Sequence, residues 1–433
     1  TVLPQGIDVE AMRTGGLGGM FFGIDRARFL TRQAIGGPRF AGVIRTVAPA
    51  IEGKLLYLCR AGAACDPAPV RAGGEIPSRA AAVGAGLDIR KGVWHDSPAD
   101  SAYVSPTRQQ LYDELDRFHI PLAPDSTWGE WHYFNVTTGP DEWWYVTYLV
   151  GGELSLGPSD GARWGGRVLM THRRPDGRYE RFTAEVPAAA VRLDTTRADL
   201  AIGPSSVRQR DGVYHLVARG AGAAGSVRLN LAVRPALNRY FPLVELRDDA
   251  FISGYVVPGL VAEATGSICV DGGCRRIEAS TAYHDHNWGV WRDVTWEWGA
   301  ARGASLSLLY GGVYGPERGQ GSAVTSPFFL TLVDSLGVRQ VLRFGTVDYD
   351  GEQPAAGAAG ATSPRRFSLV AGRGTDSVRL TVDIEHAVAT EMSASTFRRL
   401  FLQMRGRFEL RGNVAGADVT DSGRGFFETY RTR

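Results

Sequence analysis

Two short runs constrain the fold of this 433-residue chain more than any other feature. Val227, Leu229, Leu231 and Val233 alternate with Ser226, Arg228, Asn230 and Ala232. Val378, Leu380, Val382 and Ile384 alternate with Arg379, Thr381, Asp383 and Glu385. A side-chain period of two sends successive residues to opposite faces of a pleat, so each run predicts a strand with one buried face. Turn sequences separate the apolar runs: Pro175-Asp176-Gly177, Asp211-Gly212, Asp271-Gly272-Gly273 and Asp350-Gly351. The 55 glycines fit a protein with many tight turns. Antiparallel strands joined by short turns build up-and-down barrels or sandwiches rather than a parallel α/β sheet.

The expected organisation is all-β, with a partly helical extension ahead of two β domains. Residues 1–120 form the extension, 121–256 the first β domain and 257–433 the second, with the junction inside Pro235–Pro258. In the extension, Ile24–Ile35 reads as an amphipathic helix capped by Asp25 and stopped by Gly36-Gly37-Pro38. Pro106–His119 reads as a second helix, with Pro106 at its first position and Leu111, Leu115 and Phe118 at helical spacing. The stretch 351–364 reads as a flexible surface loop.

Composition excludes several classes. With 44% hydrophobic and 22% charged residues the chain is not disordered. Its net charge of +2 gives no electrostatic footprint for nucleic acid. No apolar stretch approaches the roughly 18 residues of a spanning helix. The chain opens at Thr1 with no Met and no apolar leader, so a removed targeting peptide is expected.

Four cysteines fall into two close pairs, Cys59 with Cys65 and Cys269 with Cys274. The second pair flanks a turn sequence, where a disulfide can clasp a hairpin. Inert thiols or a four-cysteine zinc site are the alternatives, although the loops exceed the usual ligand spacing. Disulfides imply an oxidising compartment, so a periplasmic or extracytoplasmic site peripheral to a membrane is expected.

Two constellations carry chemistry. Trp128-Gly129-Glu130-Trp131-His132-Tyr133-Phe134 is followed, after a turn, by Glu142-Trp143-Trp144-Tyr145. Rings this dense either fill a barrel core or line an apolar pocket in which Glu130 or Glu142 is a buried acid. The second is Tyr283-His284-Asp285-His286-Asn287-Trp288-Gly289. On an extended strand His284 and His286 share one face, and Asp285 and Asn287 the other. An acid site, a buried polar network and a metal site built on His-x-His remain open, though no third ligand cluster is apparent. No nucleophile elbow, phosphate loop or dinucleotide fingerprint occurs in its required context.

This second segment resembles the hallmark of the carotenoid 1,2-hydratase (hydroxyneurosporene synthase) family and its lipocalin-like relatives. Residues 130–133 and 142–145 resemble that family's N-terminal Glu-Trp-Trp-Tyr motif, and Gly423–Tyr430 resembles its closing strand. The resemblance implies two lipocalin-like barrels, with no cofactor and no metal. The implied ligand is a long apolar isoprenoid or carotenoid, hydrated by protonation of a terminal alkene. It places Asp285 as proton donor, with His284, His286 and Tyr283 orienting the acid or the water. Glu130, Trp131, Glu142, Trp144, Asn287 and Trp288 would then hold the ligand. A non-catalytic relative docked on a membrane complex through residues 1–120 is the alternative.

Overall fold

The computed structural model describes residues 54–60, 67–68, 87–93, 116–119, 127–153, 163–236, 239–248, 251–290, 295–314, 328–334, 337–373, 375–392, 399–414 and 416–432. Nearly all of them are strand, in a 12-stranded sheet, a 10-stranded sheet and a 3-stranded sheet.

Eight strands of the largest sheet pair in chain order. They are β1 (Thr127–Gly139), β2 (Glu142–Glu153), β3 (Arg163–Arg173), β4 (Tyr179–Pro187), β5 (Val213–Gly222), β6 (Gly225–Pro235), β7 (Phe251–Val270) and β8 (Gly273–Val290). Each pairs antiparallel with the next, and β8 returns to β1. The result is a closed up-and-down ring of eight strands, the strand number and order of a lipocalin barrel. Its narrowest pairing is β4 with β5, the single bridge Thr183–Ala221. Three further strands, Val191–Leu193, Asp199–Ile202 and Ser205–Arg210, extend the sheet from β5.

The second ring repeats the plan. It comprises β9 (Thr295–Gly303), β10 (Ser307–Tyr314), β11 (Phe329–Asp334), β12 (Gly337–Arg343), β13 (Thr362–Arg373), β14 (Asp376–Met392), β15 (Arg399–Val414) and β16 (Ala417–Thr432). Again every strand pairs with its chain neighbour, and β16 closes on β9. Again one bridge joins the fourth and fifth strands, Arg343–Gly372.

The alternating runs behave as their period dictates. Val227, Leu229, Leu231 and Val233 are buried on β6 while Arg228 and Asn230 are exposed. Val378, Leu380, Val382 and Ile384 enter the core of the second ring, with Tyr310, Phe367, Phe408 and Phe427. In the first ring, Phe134 of β1 meets Tyr214 of β5 with ring centroids 5.8 Å apart. Those strands are not neighbours, so the contact crosses the barrel and identifies the even-numbered face of β1 as interior.

Four expectations need correction. The boundary between units falls at Val294/Thr295, not at 256/257. The Tyr283–Gly289 segment therefore belongs to the first barrel. A cut at 256 would sever β7, whose hairpin with β8 supplies the pairing to β6 and β1 that closes the first ring. Pro258 is tolerated within β7 because the β7–β8 register shifts between Val256 and Gly259. The extension contains strands: Lys54–Arg60, Pro67–Ala68 and Leu87–Val93 form a small antiparallel sheet. Asp116–His119, expected at the end of a helix, is bend and coil. The 351–364 stretch contributes to the strands Asp348–Pro354 and Ala356–Gly357.

The 24–35 helix, residues 106–115 of the second helix and the pairing of Cys59 with Cys65 lie outside the described residues. Cys269 and Cys274 are disulfide-bonded across the β7–β8 turn. No helix among the described residues is long and apolar enough to cross a membrane.

Candidate functional site

The site is built on the β1–β8 pair, in a register that sets His286 opposite His132, His284 opposite Phe134 and Trp288 opposite Glu130. All six side chains share the interior face. The β-period therefore gathers three imidazoles and a carboxyl from two adjacent strands. Inside the barrel the His284 ring stacks on Phe134 at 4.1 Å, and His132 stacks on His286 at 3.9 Å.

The segment Asp116–His119 lies against this face. It is tied down by Phe118 N–H donating to the Asp194 carbonyl at 3.2 Å and by Arg117 Nη1 donating to the Thr195 carbonyl at 3.5 Å. Asp116 is fully buried among the histidines. Its Oδ1 is 3.0 Å from His286 Nδ1, its Oδ2 is 3.6 Å from His284 Nε2, and Tyr214 donates its hydroxyl to Oδ2. His286 Nε2 sits 2.8 Å from Glu130 Oε1, and the same oxygen accepts the His119 backbone N–H at 2.6 Å. The His119 ring stacks on Trp288 at 3.5 Å.

Burial alone would raise the Asp116 carboxyl. The neighbouring imidazoles of His284 and His286, and then that of His132, reverse this and hold it well below the usual carboxylate range. Burial also opposes a charge on His286, but hydrogen bonds to Asp116 and Glu130 outweigh it and push the imidazole up to about 9. For His132, burial first and then the neighbouring His286 outweigh the pull of Asp116 and hold it well below the ordinary histidine value. Glu130 Oε2, His132 Nδ1 and His284 Nε2 have no hydrogen-bond partner among the described residues.

Asp285 is on the opposite face of β8, where it too is buried. Its Oδ2 accepts the Tyr283 hydroxyl at 2.7 Å, and its Oδ1 accepts Asn287 Nδ2 at 2.6 Å. Tyr133 stands beside this group, with its ring 6.2 Å from Tyr283 and 6.0 Å from Tyr145. The four expected catalytic residues therefore divide in two. Tyr283 serves Asp285, whereas His284 and His286 cannot orient it, because the strand period turns them toward Asp116.

The expected ligand-holding residues divide as well. Glu130 and Trp288 belong to the interior cluster. Asn287 belongs with Asp285, and Trp131 is half-buried on that same face. Glu142 and Trp144 sit further along the interior face. Trp144 stacks on His172 at 3.9 Å there, and His172 bridges Glu142 at 3.0 Å and Glu180 at 3.1 Å. Arg275 closes on Glu142 at 2.6 Å. Asp116, His119, His172 and Tyr214 are the site residues that sequence reasoning passed over. His132 stood inside a quoted motif without a role.

Comparison with known protein families and with curated proteins finds no match. Among solved structures, an AttH-type protein from Nitrosomonas europaea is similar over 70% of this chain and 91% of its own, at 15% identity and TM-score 0.48. Kievitone hydratase from Nectria haematococca is similar over 71% and 90%, at 15% identity and TM-score 0.43. CghA bound to Sch210972 is similar over 73% and 94%, at 10% identity and TM-score 0.42. The barrel assignment rests on the strand order itself.

Proposed function

We propose that this chain is a hydratase-like protein that adds water across an alkene of a long apolar isoprenoid, a carotenoid in the reading implied by the resemblance, with Asp285 as general acid. One observation carries it: a buried carboxyl whose two oxygens each hold a donor, Tyr283 Oη and Asn287 Nδ2, among tyrosine rings.

Protonating an unactivated alkene demands a strong acid. Two donors already aimed at the carboxyl stabilise the charge left behind when the proton departs. The proton of Asp285 forms a C–H bond at the less substituted alkene carbon, and the π pair leaves a tertiary cation on its neighbour. The faces of Tyr133 and Tyr145 can stabilise that cation. Water attacks it, and the proton released returns to the Asp285 carboxylate. The sum is alkene plus water giving a tertiary alcohol, with the acid regenerated.

The test is incubation of the full chain with acyclic carotenoids and shorter polyenes, read by liquid chromatography and mass spectrometry beside Asp285→Asn. A product heavier by one water, absent from the variant, is expected. Equal product from the variant would remove Asp285 from the reaction. No product and no bound polyene would overturn the reading.

A further inference from the structure

The interior cluster is not explained by chemistry at Asp285, which faces away from it. We propose that Asp116, His132 and His286 bind a divalent transition-metal ion of the zinc class inside the first barrel, with His284 at the second oxygen of Asp116.

Geometry comes first. Asp116, His132 and His286 each offer one ligand atom, and the three atoms lie within 4.8 Å of one another. His286 Nδ1 is 3.0 Å and His132 Nδ1 4.0 Å from Asp116 Oδ1. Ligand atoms about 2.1 Å from a tetrahedral zinc stand about 3.4 Å apart, so sub-ångström side-chain shifts seat the ion.

The groups behind the ligands fit as well. Tyr133 offers His284 Nδ1 a carbonyl oxygen at 3.0 Å, which can only accept, so Nδ1 carries a proton. His284 Nε2 is the atom that faces Asp116 and has no hydrogen-bond partner. Glu130 likewise accepts from His286 Nε2, which turns Nδ1 to Asp116. Tyr214 holds the Asp116 carboxylate from behind. An imidazole oriented by a carboxylate or a backbone carbonyl on its far nitrogen is the recurring support of a metal-bound histidine. His132 Nδ1, unpartnered and 1% exposed, points into the same space.

Charge points the same way. Asp116 and Glu130 are both 0% exposed, and among the described residues their charged partners are histidines alone. Two carboxyl groups with no Arg or Lys partner thus stand together in a dry interior, where uncompensated charge is costly, and a bound cation would supply the partner they lack. Imidazole and carboxylate donors without thiolate suit zinc, iron(II) or nickel better than the hard cations calcium and magnesium.

Zinc alone is the probe. The full chain is treated with chelator, exchanged into metal-free buffer and titrated with Zn2+, with bound metal measured by elemental analysis and thermal unfolding followed in parallel. One tightly held equivalent and a raised unfolding temperature are expected. Asp116→Ala and His286→Ala should lose the equivalent, Glu130→Gln should bind 10–100-fold more weakly, and His172→Ala should retain it. Co2+ in place of Zn2+ should give visible absorption bands in the wild type that His132→Gln alters, which keeps the test decisive should an alanine variant not fold. A folded wild type without stoichiometric Zn2+, or Asp116→Ala and His286→Ala variants that keep it, would overturn the proposal. Metal content is read without turnover, so the outcome is independent of water addition at Asp285.

Discussion

His284 and Asp285 are consecutive residues that serve opposite faces of one strand. The His284 ring stacks on Phe134 at 4.1 Å inside the barrel, while Asp285 takes the Tyr283 hydroxyl at 2.7 Å on the other side of the backbone. A motif that reads as a single constellation therefore holds two, separated by the thickness of a β-sheet.

The two faces should dissociate under mutation. Asp285→Asn should reduce polyene hydration by about 10²–10⁴-fold, the usual contribution of a positioned acid. Tyr283→Phe removes one hydrogen bond to a charged group, worth about 1.5–3 kcal/mol, and should cost roughly 10- to 100-fold. Both variants should bind Zn2+ as the wild type does. Product formation and metal content measured on the same preparations decide it, and coupled losses in Asp285→Asn would contradict the separation.

Gly254 makes room for the ring that positions His119. A Cβ built there lies 2.1 Å from Trp288 Cε2, so the indole lies flat across a bare backbone position on β7. Trp288 in turn stacks on His119, whose N–H binds Glu130. Gly254→Ala must displace the indole, and overpacking of this kind costs about 1–3 kcal/mol. Urea unfolding should show that loss, and tryptophan emission should shift. An unchanged midpoint and spectrum would mean the indole has room to move.

Much of the fold was legible, and the reasons are local. Asp211-Gly212 and Asp271-Gly272 adopt positive φ at both residues, 52° with 74° and 46° with 85°, the backbone a two-residue hairpin requires. The alternating runs around them needed only a period of two. Asp116 was not legible, because Leu111, Leu115 and Phe118 carry helical spacing and its burial depends on a ring closed by strands more than 150 residues away. The unit boundary was missed for a related reason. Only pairing of β8 with β1 shows that the β7–β8 hairpin finishes the first barrel, and pairing partners leave no mark on a strand's own pattern.

The disulfide closes a hairpin that the turn already closes. Cys269 and Cys274 are directly paired in the β7–β8 register, five residues apart. A loop that short removes little chain entropy from the unfolded state, so replacing both residues by Ser should cost about 1–2 kcal/mol. The folded barrel should survive reductant with a modestly lower unfolding temperature. Loss of cooperative unfolding on reduction would mean the clasp is required for ring closure.

In the second barrel Asp421 of β16 organises the β9–β10 turn through its carboxylate. It accepts the backbone N–H groups of Ala304 at 2.9 Å, Ser305 at 3.1 Å and Leu306 at 2.7 Å, and that of Ser422 at 2.8 Å. Burial raises its pKa, but these four donors win and leave it below the ordinary aspartate value. A folded-state pKa below the unfolded one means the stabilisation is fully present above the unfolded value near 3.9. It is lost as pH falls from there through the folded value. Asp421→Asn keeps the shape and loses the charge, and should lower stability at pH 7 by about 1.5–3 kcal/mol. The gap between wild type and variant should narrow below about pH 4, as the wild-type carboxyl protonates and its donors face a neutral group. Urea midpoints for both proteins at pH 7, 4 and 2.5 measure this. A gap that stays constant to pH 2.5 would show that the turn is held by the shape of the side chain rather than by its charge.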